Sequence, residues 1–129
     1  MRVLLDTQCW LWMVGRPDRL SERARTLLRD PGHELLFSAA SAWEIVIKHA
    51  IGKLELPGDP VDLIPDWIVR SGVIPLPVHH GHALHVARLP LHHADPFDRI
   101  LIAQARLEDV PVLTADRAFG SYEVELIPA

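Results

Sequence analysis

Four short apolar runs, Arg2–Leu5, Glu34–Phe37, Val73–Leu76 and Val110–Leu113, punctuate the chain at wide intervals. None alternates polar with apolar residues. A strand with one wet face alternates, whereas a strand covered on both faces does not. Between the runs lie segments of helical character. These are Gln8–Val14, Ser21–Arg29, Ala42–Ala50, Val61–Ser71, His79–Ala87 and a segment opened by Asp95-Pro96 that continues to about Leu107. In the last, Ile100, Leu101, Ala103, Gln104 and Leu107 recur at helical spacing. Ser21 opens its helix with Glu22 in the first turn, and Ser38 or Ser41 caps the helix over Ala42–Ala50. Leu54–Pro60 and Leu89–Ala94 read as loops, and Leu126-Ile127 as a last short strand. Non-alternating strands interleaved with helices define an α/β chain built on a parallel sheet with helices on both faces.

The 129 residues suit one domain, 1–129, and 49% are hydrophobic, enough for a packed core. No apolar run approaches the roughly 20 residues of a membrane span. The opening Met1-Arg2-Val3-Leu4-Leu5-Asp6 is too quickly acidic for a secretory signal, so a cytoplasmic protein is expected. Cys9 is the single cysteine, which excludes an internal disulfide. Among Trp10, Leu11 and Trp12 it is expected to be buried and inert. A net charge of −4 excludes a generally basic surface for polyanions, although local positive charge would suffice.

In parallel α/β sheets, ligands bind beyond the carboxyl ends of the strands. Asp6 lies just past the first predicted strand and Asp116 just past Val112-Leu113. Asp98 is in the first turn of the Asp95-Pro96 helix, and Glu44 is in the first turns of the helix after Glu34–Phe37. All four are therefore expected at one edge of the sheet. Gathered carboxylates repel one another and resist desolvation, so a fold keeps them where a cation neutralises them. An all-oxygen set suits Mg²⁺ or Mn²⁺ and does not suit zinc. Such ions act on phosphodiesters. Taken singly, each acid also has a plain role: Asp6 and Asp116 in turns, Asp98 at the positive end of a helix, Glu44 in solvent. Asp95, followed by Pro96, reads as an N-cap, with a supporting or alternative ligand role left open. No glycine-rich phosphate loop is present.

His79, His80, His82, His85, His92 and His93 match no closed zinc site and are assigned to surface or packing roles. Lys48, Lys53 and Arg99 are candidates for contact with substrate phosphate or for salt bridges. Trp10, Trp12, Trp43 and Trp67 are core or interface residues, and Trp10 with Trp12 is a candidate docking surface.

The segments LLDT (Leu4–Thr7), SAASAWEIVIKHAIGKLELP (Ser38–Pro57), ADPFDRILIAQA (Ala94–Ala105) and LTADRAF (Leu113–Phe119) together resemble PIN-domain proteins, specifically the VapC-type toxins of toxin–antitoxin pairs. LLDT alone is weak; the combination is specific and spans nearly the whole chain. The resemblance implies a three-layer α/β/α sandwich around a short parallel sheet. It also implies Mg²⁺- or Mn²⁺-dependent endoribonuclease activity on RNA, inhibition by a VapB-like antitoxin, and a homodimer. The family's four acids fall on Asp6, Glu44, Asp98 and Asp116, with Asp6, Asp98 and Asp116 as metal ligands, and Thr114 matches a supporting position. Gln8 departs from the histidine usual there in relatives. Two alternatives remain at this point: a non-toxin PIN nuclease of RNA processing, and a non-catalytic module whose acids only hold an ion.

Overall fold

A computed structural model describes residues 1–129. Five strands form one parallel sheet in the order β3-β2-β1-β4-β5. They are β1 (Arg2–Leu5), β2 (Glu34–Ser38), β3 (Ile74–Leu76), β4 (Val112–Thr114) and β5 (Leu126–Pro128). Six helices connect them: α1 (Thr7–Gly15), α2 (Glu22–Arg29), α3 (Ala39–Ala50), α4 (Pro60–Ser71), α5 (His80–His85) and α6 (Pro96–Glu108). Short 3₁₀ turns follow α1 at Pro17–Arg19, α5 at Val86–Arg88 and β4 at Arg117–Ser121. No helix is long and apolar enough to cross a membrane.

The non-alternating strands have the predicted cause. Successive β1 side chains enter opposite cores: Val3 and Leu5 pack with Cys9, Trp10, Leu28, Phe37 and Ile45, while Leu4 packs with Leu36, Leu101, Ile102, Val112 and Phe119. Val3, Leu4 and Leu5 are all fully buried. A polar residue at any of the three would be stranded in one core or the other. The helices α1–α4 serve the first core and α6 the second, which gives the three-layer α/β/α sandwich.

Two of the boundaries that differ from expectation bear on the site. α3 begins at Ala39, because the Ser38 hydroxyl accepts from the Ala40 amide and acts as the cap. Ser41 is buried and accepts instead from the Thr7 hydroxyl at 2.8 Å, tying α3 to α1. β4 starts at Val112 rather than Val110. Asp109 closes α6 with a left-handed backbone (φ 53°), the Val110 amide returns to the Ala105 carbonyl, and Pro111 has no amide to give the ladder. The strand consequently runs on to Thr114, which brings that hydroxyl up to Asp6.

Trp10 is not a surface residue. It is fully buried, its ring 4.1 Å from that of Phe37 and 6.2 Å from that of Trp67, and its indole N–H donates to Ser71. Trp12 is half-buried. The exposed tryptophan is Trp43, at 62%, edge-on to Phe97.

Candidate functional site

The centre of the sheet ends at Asp6. The Asp6 amide donates to the Leu113 carbonyl, so the residue is still held to β4. Its Oδ1 accepts from the Gln8 amide, capping α1, and its Oδ2 accepts from the Thr114 hydroxyl at 2.7 Å. Every ordinary reason to be a turn residue is thus met, yet the side chain is only 8% exposed. Burial pushes the Asp6 carboxyl up, Thr114 and Gln8 pull it back, and Glu44 and Asp116 push it up again.

α6 brings Asp98. Asp95 is its N-cap, with Oδ1 accepting from the amides of Phe97 at 2.8 Å and Asp98 at 3.2 Å. Pro96 fixes the first helical residue, whose missing N–H would have had no partner there. Asp98 then sits in the first turn. Burial comes first in pushing its carboxyl up to about 7, with Asp95, Asp6 and Glu44 adding to it and His93 opposing. A carboxyl so poised lies close to half-protonated near neutral pH.

α3 brings Glu44, 5% exposed. One carboxylate oxygen, Oε2, pairs with the Lys48 ammonium one turn on. The other, Oε1, is buried and has no partner. Lys48 is held charged by Glu44 first, and it also feels Asp95 and Asp98. Asp116 follows β4. Its Oδ1 accepts from the Ala118 amide and its own amide donates to Thr114 Oγ1. Asp116 is the exposed member of the set, its side chain 45% accessible.

The structure therefore brings buried Asp6 and Glu44 close enough to half-buried Asp98 for their charges to act on it, with exposed Asp116 at the rim. An all-oxygen group of this kind, with a buried oxygen left unpartnered and one carboxyl pushed to about 7, has the chemistry that a hard divalent cation relieves. Arg99, a candidate for phosphate contact, is committed elsewhere. Its guanidinium donates to the carbonyls of Val86, Leu89, Pro90 and His93 and to the Tyr122 hydroxyl. Lys53 is exposed. His82 is packed, 3% exposed, with Nε2 at 3.1 Å from Glu108. Burial pushes the Cys9 thiol up to about 12, so it is inert.

His93 is the residue that sequence reasoning missed. Its Nε2 lies 2.7 Å from Asp98 Oδ2 and 3.5 Å from Asp116 Oδ2. Its only sequence signal is its place two residues before the Asp95 cap.

Fold and site define a class: three-layer α/β/α proteins with a carboxylate centre at the carboxyl edge of a parallel sheet. The chain belongs to the PIN domain family, whose model matches residues 3–125. It is 43% identical over 61 residues to Ribonuclease VapC16 of Mycobacterium tuberculosis (strain ATCC 25618 / H37Rv), an alignment covering 47% of this chain. The chain spans 43% of the length of that relative. VapBC2 from Rickettsia felis, bound to a DNA fragment from its promoter, has the same fold, with a TM-score of 0.74 at 12% identity over 99% of this chain and 98% of that one. DNA-bound VapBC from Salmonella typhimurium matches with a TM-score of 0.74 at 14% identity and the same coverage. FitAcB from Neisseria gonorrhoeae gives 0.64 at 22% identity, covering 97% and 96% of the two chains.

Proposed function

We propose that this PIN domain, over residues 1–129, is a Mg²⁺- or Mn²⁺-dependent endoribonuclease and the toxin of a toxin–antitoxin pair. The observation that carries the reading is the buried carboxylate group with Asp98 pushed up to about 7 and Glu44 Oε1 unpartnered. Membership of the PIN family and the likeness to Ribonuclease VapC16 support RNA as the substrate. The fold neighbours are VapBC and FitAcB structures, which supports a VapB-like antitoxin as partner. A homodimer and a cytoplasmic location complete the reading.

Asp6, Asp98 and Asp116 would hold the ion. When bound, the ion would lower the pKa of a water and neutralise charge on the phosphodiester under attack. Asp6 is the fixed member, because two hydrogen bonds and burial leave it one orientation. Glu44 Oε1 is free to accept a proton from an attacking water, while Lys48 keeps Oε2 occupied. Asp116, at the open rim, is placed to meet substrate from solvent.

The test is cleavage of a generic RNA with Mg²⁺ or Mn²⁺, followed by mapping of the ends. Cleavage is expected to stop with EDTA and with Asp6→Ala, and growth inhibition by the wild type is expected to be relieved by the product of a neighbouring small gene. Full cleavage by Asp6→Ala with metal present would overturn the reading.

A further inference from the structure

We propose that His93 supplies a nitrogen donor to the carboxylate centre, so that His93 Nε2, Asp98 and Asp116 form a mixed nitrogen–oxygen subsite for a borderline divalent cation such as Mn²⁺. The proposal deepens the metal-dependent reading above and rests on it.

Three observations carry it. First, one ligand atom from each of His93, Asp98 and Asp116 lies within 4.8 Å of the other two. Second, the approach of His93 to the acids is close without being a hydrogen bond. Nε2 is 2.7 Å from Asp98 Oδ2 and 3.5 Å from Asp116 Oδ2, yet it is buried and has no partner in an acceptable direction. A ring nitrogen this close to two carboxylate oxygens, hydrogen-bonded to neither, suits an ion pair of a protonated ring and equally the donors that surround a common ion. Third, the position is built. His93 lies in the connection between the Val86–Arg88 turn and α6, which has no regular structure of its own. Even so, its amide donates to the Tyr122 hydroxyl at 2.8 Å and its carbonyl accepts from Arg99. Its ring stands edge-on to Phe119. Nδ1 accepts only a long hydrogen bond, 3.5 Å from the Asp95 amide, so little is lost when the ring takes the Nδ1–H tautomer that frees Nε2 for a cation.

The chemistry follows from the donor. Mg²⁺ prefers oxygen and gains little from imidazole, whereas Mn²⁺ and the later ions accept it readily. His93 is thus expected to set which ion the centre prefers, rather than whether it binds one.

The experiment is Mn²⁺ titration of the whole, RNA-free protein, read by calorimetry and by pulsed electron paramagnetic resonance. In the wild type, bound Mn²⁺ is expected to show nitrogen hyperfine coupling from one imidazole. His93→Ala is expected to lose that coupling and bind Mn²⁺ about tenfold more weakly, with Mg²⁺ affinity changed by less than about twofold. His93→Gln, which keeps a polar side chain of similar reach, is expected to lose the coupling as well. If Mn²⁺ binds, depends on Asp98, and shows no nitrogen coupling, the His93 proposal alone is overturned. Coupling that persists in His93→Ala overturns it equally. If Mn²⁺ does not bind at all, the metal-dependent reading fails with it.

Discussion

Asp98 and Asp6 are the side chains in which the cost of the proposed site to the fold is clearest. Both carboxyls are pushed up, burial being the first cause in each. For Asp98 the folded value of about 7 lies above the unfolded 3.8, so between those values the folded state binds the extra proton. Stability of the metal-free protein therefore falls as pH rises through that window. Asp98→Asn removes the charge and is expected to stabilise the metal-free protein at pH 8 by roughly 1–2 kcal/mol, a figure discounted for the part of the group that water screens. The gain should vanish below about pH 3, under both values, where both states of the wild type are largely protonated. Urea unfolding at the two pH values measures it, and a loss of stability at pH 8 would contradict the burial argument. Thr114 acts in the opposite sense, since its hydroxyl supports the charged form of Asp6. Thr114→Val is expected to raise Asp6 further, so that protons compete better with the metal. Mn²⁺ affinity should drop about tenfold at acid pH and by less as pH rises, because a hydrogen bond to a charged group is worth roughly 1.5–3 kcal/mol.

At the scale of elements, the start of α6 is where sequence and structure agree best and where they part. Asp95-Pro96 was legible because capping chemistry is local: a carboxylate, a proline and two amides within four residues. Asp95→Ala is expected to cost about 1 kcal/mol in thermal or urea unfolding, and Asp95→Asn almost nothing, since asparagine caps as well. A ligand role for Asp95 predicts instead that the asparagine variant loses Mn²⁺ affinity as Asp98→Ala does. Three residues upstream of Pro96, legibility ends. His93 reaches the acids because Arg99 gathers four carbonyls of its connecting loop and the Tyr122 hydroxyl, contacts that no spacing rule contains. Arg99 itself, open in the sequence to a phosphate contact or a salt bridge, takes neither and binds carbonyls instead, for the same reason. A lysine offers a point charge and not a planar fork, so Arg99→Lys is expected to destabilise by about 1–3 kcal/mol and to loosen His93. The start of β4 was misplaced because the left-handed turn at Asp109 had no sequence signal beyond Pro111. Likewise Trp10 belongs to the core because Phe37, Trp67 and Ser71, far away in sequence, close around it.

For the whole molecule, the parallel sheet was legible from strands that fail to alternate, because both cores impose the same demand on β1 and β2. The strand order β3-β2-β1-β4-β5 was not legible, since the strands are chemically alike and only the connections sort them. Charge adds a constraint at this scale. Asp and Glu number 17 against 13 Lys and Arg, an excess of four. At the site itself, the charges of Asp95, Asp6 and Glu44 push the Asp98 carboxyl up, a repulsion that a bound divalent cation would relieve. Ion binding should accordingly register as stability of the entire fold. At a free ion concentration about 100 times the dissociation constant, the folded state gains roughly 2.7 kcal/mol. For a domain of this size that raises the melting temperature by roughly 10 °C. Without metal, Asp98→Asn should melt above the wild type; with saturating Mn²⁺ the order should reverse, because the variant loses a ligand as well as a charge. Asp6→Asn should show a smaller Mn²⁺ shift than the wild type. Differential scanning fluorimetry with and without Mn²⁺ measures all three proteins. Equal shifts in wild type and both variants would mean that the ion stabilises the fold from somewhere other than this edge of the sheet.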